Sequence, residues 1–261
     1  MTRQGSSLVR MQALASNGAR QAVRDKVLYV LAGFCAVLIV GSVIVSHLTV
    51  GERGRIVMDL GLSATSILAT LTAVFVTINQ VAREIDRKQI ASLLAKPVAR
   101  WELVVGRFVG MAATLGALVL FMGCLHAAVL AAVGGYDARL WPALWLTWME
   151  TLLVTAIALF LSSFITTLPS LFLTLALVVI GHTSFGLAML ADGVKAPFLK
   201  WLLRILYVVL PNLELLNVRS QVVWGVDIPA SMTLLGTAYA LGFSAVLLVL
   251  GSALLSRRDL A

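Results

Sequence analysis

The chain has 261 residues, 60% of them hydrophobic and only 12% charged, with a mean hydropathy of +0.99. One soluble core could not bury that much apolar surface, so lipid must cover a large part of it. The net charge of +8 does not point to nucleic acid, because the charges sit at the ends of apolar runs and so report on membrane topology.

Residues 1–26 carry Arg3, Arg10, Arg20, Arg24 and Lys26 among Leu8, Val9, Met11 and Leu14 at roughly helical spacing. The pattern suits an amphipathic helix on the cytoplasmic leaflet, weakened by Gly18, or alternatively a disordered basic tail. The first apolar run starts at Val27 and is long enough to span, and no convincing small-residue site follows it, so no cleavable signal peptide is expected. Cys35 and Cys124 both fall inside apolar runs, which argues against a disulfide framework or a thiolate metal site.

Six runs are predicted to cross a bilayer: 27–50, 60–81, 104–133, 142–165, 169–190 and 231–255. With the N-terminus inside, thirteen basic residues lie on the cytoplasmic side and seven on the other, so both termini are expected in the cytoplasm. Gly51 and Gly54 in GERGRIVMD, and Gly134–Gly135 with Asp137, read as outer turns. Pro169 suits the first turn of a helix after a tight hairpin near residues 166–168. Residues 192–230 differ: Phe198, Trp201, Leu202, Ile205 and Val209 form one stripe, with Lys200 and Arg204 on another face. This reads as a short interfacial or re-entrant outer helix stopped near Pro211; a seventh span would put the basic C-terminal end outside.

The charged interval between the second and third runs is the most informative stretch. Glu84, Asp86, Arg87 and Lys88 precede Ile90, Leu93 and Leu94, giving an amphipathic platform; Pro97 holds Lys96 extended and ends it. Arg100, Trp101 and Glu102 then open the next helix, with the tryptophan at the interface and the carboxylate favourable to the helix dipole.

This segment resembles the membrane subunit of type 2 ABC exporters, the class with six spans and no fused nucleotide-binding domain. The resemblance rests on EIDRKQIASLLAKPVARWELVVGRFVG at 84–110, with support from RDK at 24–26, DLGL at 59–62, LPNLELLN at 210–217 and RRDL at 257–260. Gln89 stands where many relatives carry threonine and keeps a polar residue there. The resemblance implies an all-α polytopic membrane protein in one transmembrane domain, in a bacterial inner membrane. It also implies an N-terminal interface helix over 5–24, a cytoplasmic coupling helix over 84–95 within the 82–103 segment, and short outer helices over 196–225. Two copies of a separate ATPase, which would hold ATP and Mg, are implied as partners. So is a second copy of this chain or a homologous permease, with an accessory periplasmic or membrane protein also compatible. The ATPase-coupling candidates are Glu84, Asp86, Arg87, Lys88, Leu93, Leu94, Lys96, Pro97, Arg100 and Glu102.

The chain has no GxxxxGK[ST] loop, so it lacks the usual phosphate cradle and any ATP hydrolysis is expected on the partner. Glu150 in the fourth run is a candidate translocation-path residue; since it follows Trp141, Trp145 and Trp148, it reads equally as a near-surface anchor. Asn79 is a second path candidate, with helix association as its structural alternative. His47, His126 and His182 lie in different runs without metal-ligand spacing and read as core or lumenal hydrogen-bonding groups. Hydroxyls of Ser162, Ser163, Thr166 and Thr167 can bond helical carbonyls, and no nucleophile–base arrangement suggests an intramembrane enzyme. A non-transporting anchor that recruits an ATPase and a secondary carrier remain as alternatives. The scarcity of charge within the runs favours lipid-like, peptide or otherwise amphipathic cargo.

Overall fold

The computed structural model describes residues 16, 19–20, 23–24, 26–46, 52–86, 100–184, 193, 198, 200–201, 204, 207 and 210–257. Among these the chain is all helix and turn. Six long elements run α1 (Lys26–Ser46), α2 (Arg53–Asp86), α3 (Arg100–Val133), α4 (Leu140–Ser162), α5 (Thr167–His182) and, after a 3-10 turn (Glu214–Leu216) and the short α6 (Arg219–Val223), α7 (Ala230–Arg257). Five of them, α1, α2, α3, α4 and α7, are long and apolar enough to cross a membrane. The predicted fifth span corresponds to α5, whose 16 residues cover about 24 Å, short of a hydrocarbon core of about 30 Å. The rest of that predicted run, 185–190, and the amphipathic N-terminal segment through residue 15 lie outside the described residues.

The bundle is layered around α4. This helix packs on α2, α3, α5 and α7, as well as on the 3-10 turn and α6. Of its apolar stretch 83% is buried, and α2 follows at 72%, whereas α1, α3 and α7 bury a third or less of theirs. The outward faces of those peripheral helices carry Tyr29, Val30, Phe34, Leu234, Leu235 and Val249, all well exposed and none charged. Polar groups are instead concentrated inside: Thr65, Thr70, Thr72 and Thr77 on α2, and Thr147, Glu150, Thr151 and Thr155 on α4 are buried. That distribution is what lipid as solvent demands, since an apolar exterior is cheap there and every interior polar group needs a partner. Several threonines meet the demand locally, bonding the carbonyl one turn back: Thr65 to Gly61 (2.8 Å), Thr72 to Leu68 (2.6 Å), Thr147 to Ala143 (3.0 Å) and Thr155 to Thr151 (2.7 Å).

One expectation about connections changes. Residues 53–59, read as an outer turn, are the first two turns of α2, and Gly54 serves close packing: a Cβ on it would stand 3.0 Å from the Cα of Gly135. Gly134, at φ +74°, is the turn glycine, holding a left-handed conformation between α3 and α4. Trp148 also departs from an interfacial role; it is half-buried and its indole N–H donates to the Ala112 carbonyl of α3 at 3.1 Å. Trp145, edge-on to Trp148, donates to the Thr237 hydroxyl of α7 at 2.9 Å, so this aromatic pair ties α4 to two neighbours.

The α4–α5 hairpin is as tight as expected, with Pro169 in the first turn of α5 and the Ser162 and Ser170 hydroxyls 3.0 Å apart across it. At the opposite end of α4, Arg139 bridges Asp137 (2.8 Å) and Asp227 (2.7 Å), tying the α3–α4 turn to the approach to α7. Donating to the carboxylates of Asp227 and then Asp137 holds the guanidinium pKa above its usual value, so this clasp keeps its cation.

Candidate functional site

A cavity of about 520 Å³ opens between α2, α4 and α5 in the half of the bundle nearer the Arg139 clasp. Helical spacing builds its walls. On α4, Ala143, Thr147 and Glu150 recur at intervals of four and three, and on α5 Leu175, Val178 and His182 do the same from the other side. On α2, Ser63, Ser66 and Thr70 present a hydroxyl at each turn.

Glu150 is the centre of the polar groups. It sits ten residues into α4, about 15 Å along the helix, and is 1% exposed, so the surface-anchor alternative does not describe its position. The Thr70 hydroxyl donates to its Oε1 at 3.0 Å and the Ser66 hydroxyl approaches Oε2 at 3.5 Å. His182, at the last turn of α5, places Nε2 3.1 Å from the same Oε1. Its Nδ1 lies 3.6 Å from Glu214 Oε2, so one imidazole stands between two carboxylates. A ring serving both at once carries both protons, the imidazolium form.

Residues 216–219 line its mouth, and the chain just before them packs beside it. Leu213 and Leu216 are buried as anchors, the Leu213 N–H bonds the Gly181 carbonyl at 3.1 Å, and the Asn212 N–H bonds the Tyr239 hydroxyl at 2.8 Å. Gly181 allows this approach, since a Cβ there would stand 2.8 Å from the Pro211 carbonyl oxygen. Arg219 reaches across to α2, pairing with Asp59 (3.1 Å) and donating to the Ser63 hydroxyl (2.7 Å). The LPNLELLN segment, a supporting match in the sequence, therefore contributes Leu216 and Asn217 to the lining of this cavity.

The other predicted residues are placed elsewhere. Asn79 is half-buried on α2, nine residues beyond Thr70, and does not line the cavity; its carbonyl accepts from Arg83 Nε at 3.2 Å. Glu84 and Asp86 belong to the last turn of α2, while Arg87, Lys88, Leu93, Leu94, Lys96 and Pro97 lie outside the described residues. Arg100 begins α3 and Glu102 falls in its first turn, as expected, but Glu102 is 3% exposed, so it faces the bundle. His126 behaves as a core group, fully buried with Nε2 3.2 Å from the Val57 carbonyl. His182 also makes hydrogen bonds, but its pairing with Glu150 has no sequence signature: 32 residues and a hairpin separate the two. Among the described residues no three metal-ligating side chains converge.

Comparison with known proteins adds one finding. A family model described as "ABC-2 family transporter protein" matches residues 6–260. No curated protein matches the chain.

Proposed function

The chain belongs to the ABC-2 family of transporter proteins, and from that premise we propose that it is the permease subunit of an ATP-driven exporter whose ATPase is a separate chain. The observation that carries the reading is the family match over nearly the whole length, joined to a cavity with a buried carboxylate between the two most buried spans. In this reading both termini face the cytoplasm of a bacterial inner membrane, the predicted run 169–190 that includes most of α5 is the fifth of six spans, and the cavity faces the outer half. Two copies of this permease, or one with a homologous partner, assemble with two ATPases that hold ATP and Mg.

The course of α2 supports such coupling. It runs unbroken for 34 residues, with Thr70 on the cavity and Glu84 fourteen residues on, about 21 Å away. A helix of that kind transmits a push at one end as tilt at the other. ATPase closure against Glu84, Asp86, Arg87 and the segment that follows would thereby change the cavity beside Ser66 and Thr70. The chain's own contribution is then positional and non-catalytic.

Reversing Glu84→Lys together with Arg87→Glu should weaken ATPase association about tenfold, the loss of one or two charged contacts. Unchanged co-purification with unchanged ATP-dependent cargo movement in vesicles would overturn the coupling role. A complex that hydrolyses ATP normally and moves no cargo would instead make this chain an anchor.

A further inference from the structure

We propose that the cavity between α2, α4 and α5 binds an amphipathic organic cation, an amine or quaternary ammonium with an apolar body, using Glu150 as its counter-ion. The inference deepens the permease reading and rests on it for calling that ligand cargo; the binding itself does not depend on it.

The walls select the body of the ligand. About 520 Å³ is within the range of sites for drug-sized molecules, and Leu62, Ile67, Leu175, Val178 and Leu216 make most of the surface apolar. The charged groups select its sign. Glu150 is 1% exposed, and an anion so deep in a bundle needs a compensating cation. From α5 it faces His182, whose Nε2 lies 3.1 Å from its Oε1. From the 3-10 turn comes a further carboxylate, Glu214, beyond that imidazole. From α6 comes Arg219, whose guanidinium is already paired with Asp59 of α2. Even with the imidazole charged, Glu150 and Glu214 share that one cation, so these described residues leave one carboxylate charge uncompensated.

The carboxylate also has capacity to spare on one side. Among the described residues its Oε1 receives Thr70 and His182, whereas Oε2 has only the long 3.5 Å contact from Ser66. An ionised carboxylate accepts about four hydrogen bonds, so Oε2 remains open to an ammonium group seated in the cavity. An anionic ligand would meet Glu150 directly. A transition-metal ion would lack a third His, Cys, Asp or Glu ligand among the described residues and would gain nothing from the apolar walls. A proton on His182 lowers the negative charge of the site, so protons and ligand compete for it.

The test uses two probes of nearly one shape and opposite charge, tetraphenylphosphonium and tetraphenylborate, with the purified full-length chain in lipid nanodiscs. Saturable binding of the cation, absent for the anion and weaker at pH 6 than at pH 8, is expected. Glu150→Gln should lower cation affinity at least tenfold, and His182→Gln should keep binding while removing most of its pH dependence. Val178→Phe, which fills the cavity without touching the carboxylate, should abolish saturable binding and covers the case in which Glu150→Gln does not fold. Equal binding of both ions, or cation affinity unchanged in folded Glu150→Gln or Val178→Phe protein, would overturn the proposal. No ATPase or nucleotide is present in this assay, so its failure alongside intact ATPase association would overturn the ligand class alone.

Discussion

Gly61 and His126 show how single residues set the inner geometry of this bundle. A Cβ at residue 61 would overlap the His126 ring, which is fully buried and reaches the Val57 carbonyl at 3.2 Å. Gly61→Ala must displace the ring and break that bond, so it should destabilise the protein by about 1–3 kcal/mol. The check is the unfolding midpoint in detergent, and an unchanged midpoint would show that the ring relocates without cost. Thr70→Val tests the carboxylate's support in the same way. It removes the 3.0 Å donor to Glu150 while keeping the volume, and a lost bond to a buried charged group costs about 1.5–3 kcal/mol. In the sequence both histidines were legible only as hydrogen-bonding groups. Their different partners, a helix carbonyl for His126 and a carboxylate for His182, follow from which helices lie beside them.

Among elements, α2 departs furthest from its sequence reading. The predicted span 60–81 is the middle of a 34-residue helix, because Glu52 and the arginines at 53 and 55 can sit beyond the apolar core without ending it. Arg55 pairs with Glu52 at 2.9 Å and lies 5.6 Å from the ring centroid of Trp224, so this polar first turn is held against the end of α6. Gly54 looked like a turn residue because glycine in a polar stretch usually is one. Its actual role is contact with Gly135, where an added Cβ would come within 2.6 Å of the Gly54 Cα. Gly135→Ala brings a side chain against backbone that cannot rotate away, so the α2 start and the α3–α4 turn must separate. A loss of about 1–3 kcal/mol is expected, with faster proteolysis in residues 134–139 as an independent readout. Equal stability and equal cleavage would show that the two backbones are not pressed together.

For the molecule as a whole, orientation is the property to measure. The basic residues favour the side holding the segment between α2 and α3, and the Arg139 clasp then faces outward. In a chain with both native cysteines replaced, Asp227→Cys should react with a membrane-impermeant maleimide on intact cells. Arg257→Cys should react only after permeabilisation; the reverse pattern would invert the topology and place the cavity on the cytoplasmic half.

The sequence by itself determined the class of solvent, the helical architecture, the approximate places of five long spans and the charged interval where a partner could act. Each of these depends on local quantities: the length of an apolar run, the position of a proline or a charge, and the residues next to it. Only the tertiary structure decided that α4 is central, that α5 is short, and that residues 216–219 line a cavity. The cluster of Thr70, Glu150, His182 and Glu214 was beyond the sequence for the same reason. Those side chains meet across 80, 32 and 32 residues of chain, and helical periodicity states which residues share a face but not which faces are brought together.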